Sequence, residues 1–255
     1  MNEKKNIFLS GFNKKEILFF KKGLRKKAIF FHTKFNKLKY CKSAICKNRD
    51  SFFETLNLIK KNKIHMKWIH IPFAGLENLN LDKNIIYTTC RNIQSTQVSD
   101  HAMALLLSLT RNVNLIIKNG LNTFFDRKPI ELENKNVLII GFGGIGKEIL
   151  NRIKGFRTNN FVLSNKREKK NKNVSKFFSL KNKNKSAKKI DIVFVTIPYN
   201  ERNKDFINKN FIKNLNNNSI LINVSRPGIF CSKDIFEFIK RKKIYGVGMD
   251  LFSKK

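Results

Sequence analysis

Carboxylates are scarce in this sequence, and so are proline, glycine and cysteine. Its 255 residues hold 18 Asp and Glu against 53 Lys and Arg, with 4 Pro, 12 Gly and 4 Cys. The shortage of acids leaves a net charge of +35, which invites a nucleic-acid or anionic-membrane partner. Two features point instead to compositional drift. The lysines run along the whole chain rather than gathering in one tail, and the abundant Lys, Asn, Ile and Phe all have A/T-rich codons. A charge sum locates no groove-reading element, so no nucleic-acid partner is expected. The cysteines are Cys41, Cys46, Cys90 and Cys231, with only the pair in CKSAIC close together. They lack the second CxxC or the His pair of a zinc site, and scattered reduced thiols suit a cytoplasmic protein. The apolar stretch near the N-terminus is too short for a signal h-region. No segment approaches the length of a membrane span, and no membrane partner is expected.

Short apolar runs are plentiful. NIFLSG (6–11), AIFFHT (28–33), SAIC (43–46), WIHIP (68–72) and IIYTTC (85–90) read as buried strands. Between them, KKEILFFKKGL (14–24) and SFFETLNLIKK (51–61) have helical spacing, with Ser51 as N-cap and Glu54 completing a capping box. Alternating β and α units imply a parallel sheet covered by helices on both faces. VSDHAMALLLSLTRNVNLIIK (98–118) predicts one long helix, apolar over most of its circumference, which needs burial against a second domain or subunit. The domain boundary is placed near residue 95: residues 1–95 form one domain and 96–255 the other. A second β/α series follows. Its strands are NVLIIG (136–141), FVLSN (161–165), IDIVFVTIP (190–198), SILINVS (219–225) and IYGVGMDLF (244–252). Its helices span 143–156 and 233–243, the latter capped by Ser232. The lysine-rich run 166–176 reads as a solvated loop.

VLIIGFGGIGKEIL (137–150) contains G-x-G-x-x-G at Gly141, Gly143 and Gly146, after an apolar strand and before an amphipathic helix. That context makes it a dinucleotide-binding turn. Gly141 permits the tight turn, Gly143 lets the backbone approach a pyrophosphate, and Gly146 lets helix and strand pack closely. The helix start, with Gly144 and Ile145, offers N–H groups and a positive dipole to the phosphates. The cofactor's 2′ position is read near the end of the second strand. There the chain has Ser164, Asn165, Lys166 and Arg167, with no acid before Glu168. Lys166 and Arg167 would attract a 2′-phosphate, which favours NADP over NAD. The competing reading is that both belong to the general lysine bias.

By its ordered segments the chain resembles the D-isomer-specific 2-hydroxyacid dehydrogenases. KWIHIPFAGLENL (67–79) resembles the substrate loop, and STQVSDHAMALLLSLTRNV (95–113) the crossing and dimer helix. VLIIGFGGIGKEI is the nucleotide turn. DIVFVTIPYNERNKDFINKNFIKNLNNNSILINVSRPGIF (191–230) resembles the segment that ends in the catalytic arginine, and GVGMDLF (246–252) the strand whose aspartate holds the nicotinamide carboxamide. The likeness runs from about residue 67, and the first sixty residues match only in pattern.

The resemblance implies a flavodoxin-like substrate domain before a Rossmann-type doubly wound domain, and reduction of a small 2-keto acid such as glyoxylate, hydroxypyruvate or pyruvate. It implies that Arg226 clamps the substrate carboxylate and polarises the carbonyl, while Ala74 and Gly75 hold the carboxylate. Ile197, Pro198, Val224 and Ser225 would line the cofactor groove. Thr96 would touch the cofactor, Asp250 would bind the carboxamide, and segment 98–118 would form a homodimer. No metal is implied. Two departures stand out. Pro227 follows Arg226 where the family has Gly, and proline fixes φ and removes an N–H. The family's catalytic Glu falls about where this chain has Lys255, and its proton-donating His lies further on. The resemblance therefore leads us to expect a chain short of its closing helix and less stable than a full-length relative. A catalytically degenerate dinucleotide-binding or regulatory module is the alternative.

Overall fold

The computed structural model describes residues 5–23, 29–73, 79–90, 92–120, 128–165 and 171–252. The chain divides into two units, Met1–Arg91 and Asn92–Lys255.

The first unit consists of β1 (Lys5–Ser10), α1 (Lys14–Gly23), β2 (Ile29–His32), a 3-10 turn (Phe35–Tyr40), β3 (Ser43–Cys46), α2 (Arg49–Lys61), β4 (Trp68–Ile71) and β5 (Ile86–Thr89). All strand pairs are parallel, in the order β2-β1-β3-β4-β5. This is the flavodoxin-like doubly wound order. Its core gathers Phe8, Leu38, Ala44, Cys46, Phe52, Ile59, Ile69 and Ile71. Among the described residues, burial shows cover on one face of β3, β4 and β5 more than on the other. Burial alternates along β3 and β4, and β5 has no fully buried residue. One face of these strands meets the core and the other, carrying Trp68, His70, Ile86 and Thr88, lies partly or wholly open. Helix α2 starts earlier than its apolar pattern suggests. Its cap is Asn48, and Ser51 is the third helical residue. Asn48 Oδ1 accepts from Ser51 N at 2.9 Å and Ser51 Oγ accepts from Asn48 N at 3.1 Å. The capping box is real but shifted by one turn, because Asn48 competes for the cap as well as Ser does.

The second unit runs through α3 (Ser95–Thr110), α4 (Val113–Asn119), β6 (Asn136–Ile140), α5 (Gly144–Ile153), β7 (Asn159–Leu163), β8 (Lys176–Phe178), α6 (Lys183–Ser186), β9 (Ile192–Val195), α7 (Lys209–Ile212), β10 (Ser219–Asn223), α8 (Ser232–Lys240) and β11 (Ile244–Met249). The parallel sheet is ordered β11-β10-β9-β6-β7-β8. Counted from β6 this is the 3-2-1-4-5-6 order of dinucleotide-binding sheets, with its switch point between β6 and β9. The central strand explains why. Val137, Leu138, Ile139 and Ile140 are all 0% exposed. Leu138 and Ile140 enter one core, Val137 and Ile139 the other. A strand apolar on both faces needs layers on both sides, and each buried side chain contributes about 1.5–3 kcal/mol.

Three expectations need correction here. Segment 98–118 is two helices, not one. Arg111 caps α3, and Asn112 turns the chain with φ +59° before α4 begins. Part of the apolar surface of α3 packs within its own unit. Ala102, Met103 and Leu106 enter the core with β6, and Gly246 and Gly248 of β11 leave room for Leu109 and Leu105. Helix α8 begins at Ser232 with Cys231 at the cap and no side-chain cap bond. The lysine-rich run is not loop to its end, since Lys176 opens the short edge strand β8. No described helix is long and apolar enough to cross a membrane.

Candidate functional site

At the carboxyl edge of the second sheet, the strand ends are tied together one to the next. Gly141 N donates to Leu163 O at 2.9 Å, Thr196 N to Ile140 O at 2.9 Å, Val224 N to Val195 O at 3.3 Å and Asp250 N to Asn223 O at 3.1 Å. The β6–α5 turn, the ends of β7, β9 and β10, and Asp250 thus form one continuous rim. It lies at the sheet's switch point, where a doubly wound sheet receives its ligand.

The glycine turn has a separate physical reason at each position. Gly141 has φ +93°, and a Cβ there would stand 2.8 Å from Thr196 Oγ1. At Gly146 a Cβ would collide with the Gly141 carbonyl oxygen, and at Gly144 with Asn92 Oδ1 and Ser95 Oγ. A Cβ at Gly143 would meet nothing within 4 Å. Gly143 is also the N-cap of α5 and provides no side-chain cap. The first N–H groups of a helix have no intrahelical partner. Here no side chain caps them at Gly143, and the positive end of the helix dipole lies at this turn. A helix start of this kind suits an anion such as a phosphate diester. Ile145 packs part of its side chain against the core, so its backbone is what the turn presents.

Opposite the turn, Ile197 and Val224 are 8% and 5% exposed and form the floor of the rim rather than open walls. Ser225 Oγ donates to Ile197 O, so its hydroxyl ties the β9 and β10 ends together. Pro198 is exposed, and its carbonyl accepts from Asn203 Nδ2 at 2.9 Å. Thr96 is exposed on the first turn of α3, and Asn165 is exposed just beyond β7.

Arg226 is exposed. Among the described residues its one side-chain hydrogen bond is a long one, Nη1 to Ser225 O at 3.4 Å, and no carboxylate pairs with it. The following proline causes no break. It occupies the first position of the 3-10 turn Pro227–Ile229, where a missing N–H costs nothing. Asp250 Oδ1 lies 3.4 Å from His101 Nε2. Ala74, Gly75, Lys166, Arg167 and Lys255 lie outside the described residues.

Two supports of this rim escaped the sequence reading. Thr196 Oγ1 donates toward the carbonyls of Ile140 and Gly141, each at 3.0 Å. Asn223, 2% exposed, braces the arginine loop from inside. Its Oδ1 accepts from Ser225 N at 2.9 Å and its Nδ2 donates to Arg226 O at 3.0 Å. The signal for Asn223 was a lone amide at the end of the apolar run SILIN. Among the described residues, no group of three or more His, Cys, Asp or Glu is placed to hold a metal.

Residues 103–255 match the family model described as D-isomer specific 2-hydroxyacid dehydrogenase, NAD binding domain. The chain is 25% identical over 208 residues to D-3-phosphoglycerate dehydrogenase of Methanocaldococcus jannaschii, covering 79% of this chain and 40% of that protein. It is 27% identical over 200 residues to glyoxylate reductase of Pyrococcus furiosus, covering 71% of this chain and 58% of the other. The chain therefore spans only about half the length of these relatives. The solved apo structure of D-mandelate dehydrogenase from Rhodotorula graminis superposes with a TM-score of 0.81 at 18% identity, covering 99% of this chain and 82% of that one. At that identity the likeness speaks to the fold.

Proposed function

The chain belongs to the D-isomer-specific 2-hydroxyacid dehydrogenases, and from that premise we propose that it binds a nicotinamide dinucleotide at the Gly141–Gly146 turn and reduces a small 2-keto acid. The observation that carries the reading is the open, uncapped helix start at Gly143, set at the switch point of a 3-2-1-4-5-6 sheet. The first N–H groups of α5 hold the pyrophosphate. Asp250 accepts from the cofactor's carboxamide. Arg226 holds the substrate carboxylate and polarises the carbonyl with charge-assisted bonds, and the lack of a carboxylate partner among the described residues supports that role. By the same resemblance, Ala74 and Gly75 offer backbone N–H groups to a carboxylate. The cofactor, when bound, supplies the hydride.

Lys166 and Arg167 favour a 2′-phosphate, so NADPH binds more tightly than NADH. Val113 and Ile117, 43% and 80% exposed on α4, support self-association through segment 98–118. The chain acts in the cytoplasm on glyoxylate or hydroxypyruvate.

The test is titration of purified residues 1–255 with NADPH and NADH at physiological salt, followed by their oxidation with glyoxylate and hydroxypyruvate. Saturable binding with turnover well above that of Arg226→Ala is expected. Binding without turnover would replace the enzyme reading with that of a dinucleotide-binding module. No binding by a folded sample would overturn both.

A further inference from the structure

The open face of the first sheet carries a cluster of side chains that the oxidoreductase reading does not use. β4 and β5 run parallel with Trp68 opposite Ile86 and His70 opposite Thr88. Residues two apart on a strand share a face. Trp68, His70 and Thr88 therefore stand together, and Cys90 joins them just past the end of β5. Trp68 Nε1 donates to Thr88 Oγ1 at 2.9 Å. His70 Nδ1 lies 3.0 Å from the same oxygen, and His70 Nε2 lies 3.4 Å from Cys90 Sγ.

The donor and acceptor roles in this cluster depend on where the imidazole proton sits. An indole N–H can only donate, so Trp68 occupies one lone pair of Thr88. The thiol can donate to Nε2 only if the ring proton sits on Nδ1. That N–H then points at the second lone pair of Thr88. Either neutral tautomer satisfies the three contacts, and the one with its proton on Nδ1 leaves Nε2 as a base facing the thiol. A nucleophile, a base within reach of it and a third group orienting the base are the parts of an activated thiol.

We propose that Cys90 is a modification site, activated by His70 for exchange with low-molecular-weight disulfides. The Cys90 proton passes to His70 Nε2. The Cys90 sulfur attacks one sulfur of the disulfide, a new S–S bond forms, and the old one breaks. The departing thiolate takes up a proton and leaves as a thiol, so the small disulfide is reduced as Cys90 is oxidised to a mixed disulfide. The imidazolium formed on the way keeps a partner on each N–H.

The other three cysteines serve as internal controls. Cys41 and Cys46 are each 1% exposed, and burial pushes both thiols up to about 11. Cys231 is partly exposed and opens α8, and its sulfur has no hydrogen-bond partner among the described residues. Cys90 and the end of β4 stand at the carboxyl edge of their sheet, where a doubly wound sheet receives ligands. A mixed disulfide there adds a bulky group to that edge. The proposal does not depend on dinucleotide binding.

The purified chain is treated at pH 7 with 2-hydroxyethyl disulfide, a neutral probe that the +35 charge cannot draw in. Aliquots are acid-quenched, and each cysteine peptide is quantified by mass spectrometry. Cys90 is expected to react about 10-fold faster than Cys231, which has no base beside its sulfur among the described residues. His70→Gln should remove that advantage while Cys231 keeps its rate, and Thr88→Val should remove part of it. Unreacted Cys41 and Cys46 certify that a variant is folded. If His70→Gln loosens the chain, the ratio in the unaltered protein and the Thr88→Val rate decide. A Cys90 rate no higher than that of Cys231, or one unmoved in a folded His70 or Thr88 variant, would overturn the proposal.

Discussion

Single residues at the rim separate stability from binding. Gly143→Ala should leave the thermal unfolding midpoint within the ordinary range of a surface change, because nothing lies within 4 Å of the added carbon. The same methyl stands where the pyrophosphate must approach, so NADPH affinity measured by fluorescence titration should fall about 10-fold or more, a loss of about 1.4 kcal/mol. Gly146→Ala should do the reverse in order of cause. Its Cβ meets the Gly141 carbonyl, and overpacking of that kind costs about 1–3 kcal/mol before any ligand is added. Equal losses of stability in the two variants would mean that the turn is a packing device only. A second residue effect concerns pH. Lys183 is half-buried, with Nζ 4.3 Å from the Phe206 ring centre, and desolvation holds its pKa below the usual lysine value. A lowered value means that the folded chain gives up this proton before the unfolded chain does. The buried ammonium therefore costs stability at neutral pH, and the cost fades as pH rises through the lowered value toward the ordinary one. Lys183→Met should raise the unfolding midpoint at pH 7 by more than it does at pH 9.5, less whatever the aromatic face returns to the cation. The glycines were legible because their constraint is local to a short motif. Thr196, Asn223 and the His70–Cys90 pair were not. Their partners come from other strands, and only the sheet order brings them together.

At the scale of elements, the strands were readable and the helix ends were not. An apolar run marks a strand by itself, whereas a cap is a contest among neighbouring polar residues, won by Asn48 over Ser51, and α8 starts at Ser232 with no side-chain cap. The break at Asn112 was hidden because apolar spacing continues through it into Val113 and Ile117. The low glycine content has its consequence here. Among the described residues, left-handed positions are filled by Asn92, Asn112, Asn134, Asn218, Asp205, Lys63, Lys189, Lys242 and Arg157, against Gly11, Gly120 and Gly141. Asn and Asp tolerate that region, but lysine has no such ease. Lys63 and Lys242 each sit just past a helix in the paired bonding of a glycine C-cap. Ile64 N donates to Ile59 O, and Lys243 N to Phe238 O, each at 3.0 Å. Lys242→Gly should therefore raise stability by up to about 1 kcal/mol, because relief of the left-handed strain exceeds the entropy that glycine adds to the unfolded chain. Chemical denaturation read at unchanged m-value checks it, and a lower midpoint would mean that the lysine stem contributes packing worth more than the strain.

For the whole molecule, the two sheet orders follow from repeated β/α units, which is why the fold class was open to reading while the uncovered face of the first sheet was not. Cover is decided by which helices return to which side, and a run such as WIHIP looks alike whether both faces or one are buried. The charge is the remaining global feature. A net +35 in 255 residues means that many lysines lie within a Debye length of one another, about 10 Å at 0.1 M salt. The described ion pairs are largely exposed, such as Arg157–Glu133 at 3.2 Å and Arg241–Glu237 at 2.7 Å, and exposed pairs are individually weak. Repulsion among unpaired cations should therefore outweigh attraction within pairs. Folding packs the like charges more closely than the unfolded chain does, so screening should favour the folded state. The unfolding midpoint is expected to climb by several degrees between about 0.02 M and 0.5 M sodium chloride, most steeply at the low end where the Debye length shortens fastest. Chloride is the salt to use, because sulfate also strengthens apolar burial and would confound the two effects. Repeating the series with Gly143→Ala separates general screening from anion occupancy of the α5 start. A shared rise assigns the effect to the whole charge, and a rise lost in the variant assigns it to that one site. A midpoint that falls with salt would mean that the few carboxylates are placed well enough to hold the chain against its own charge.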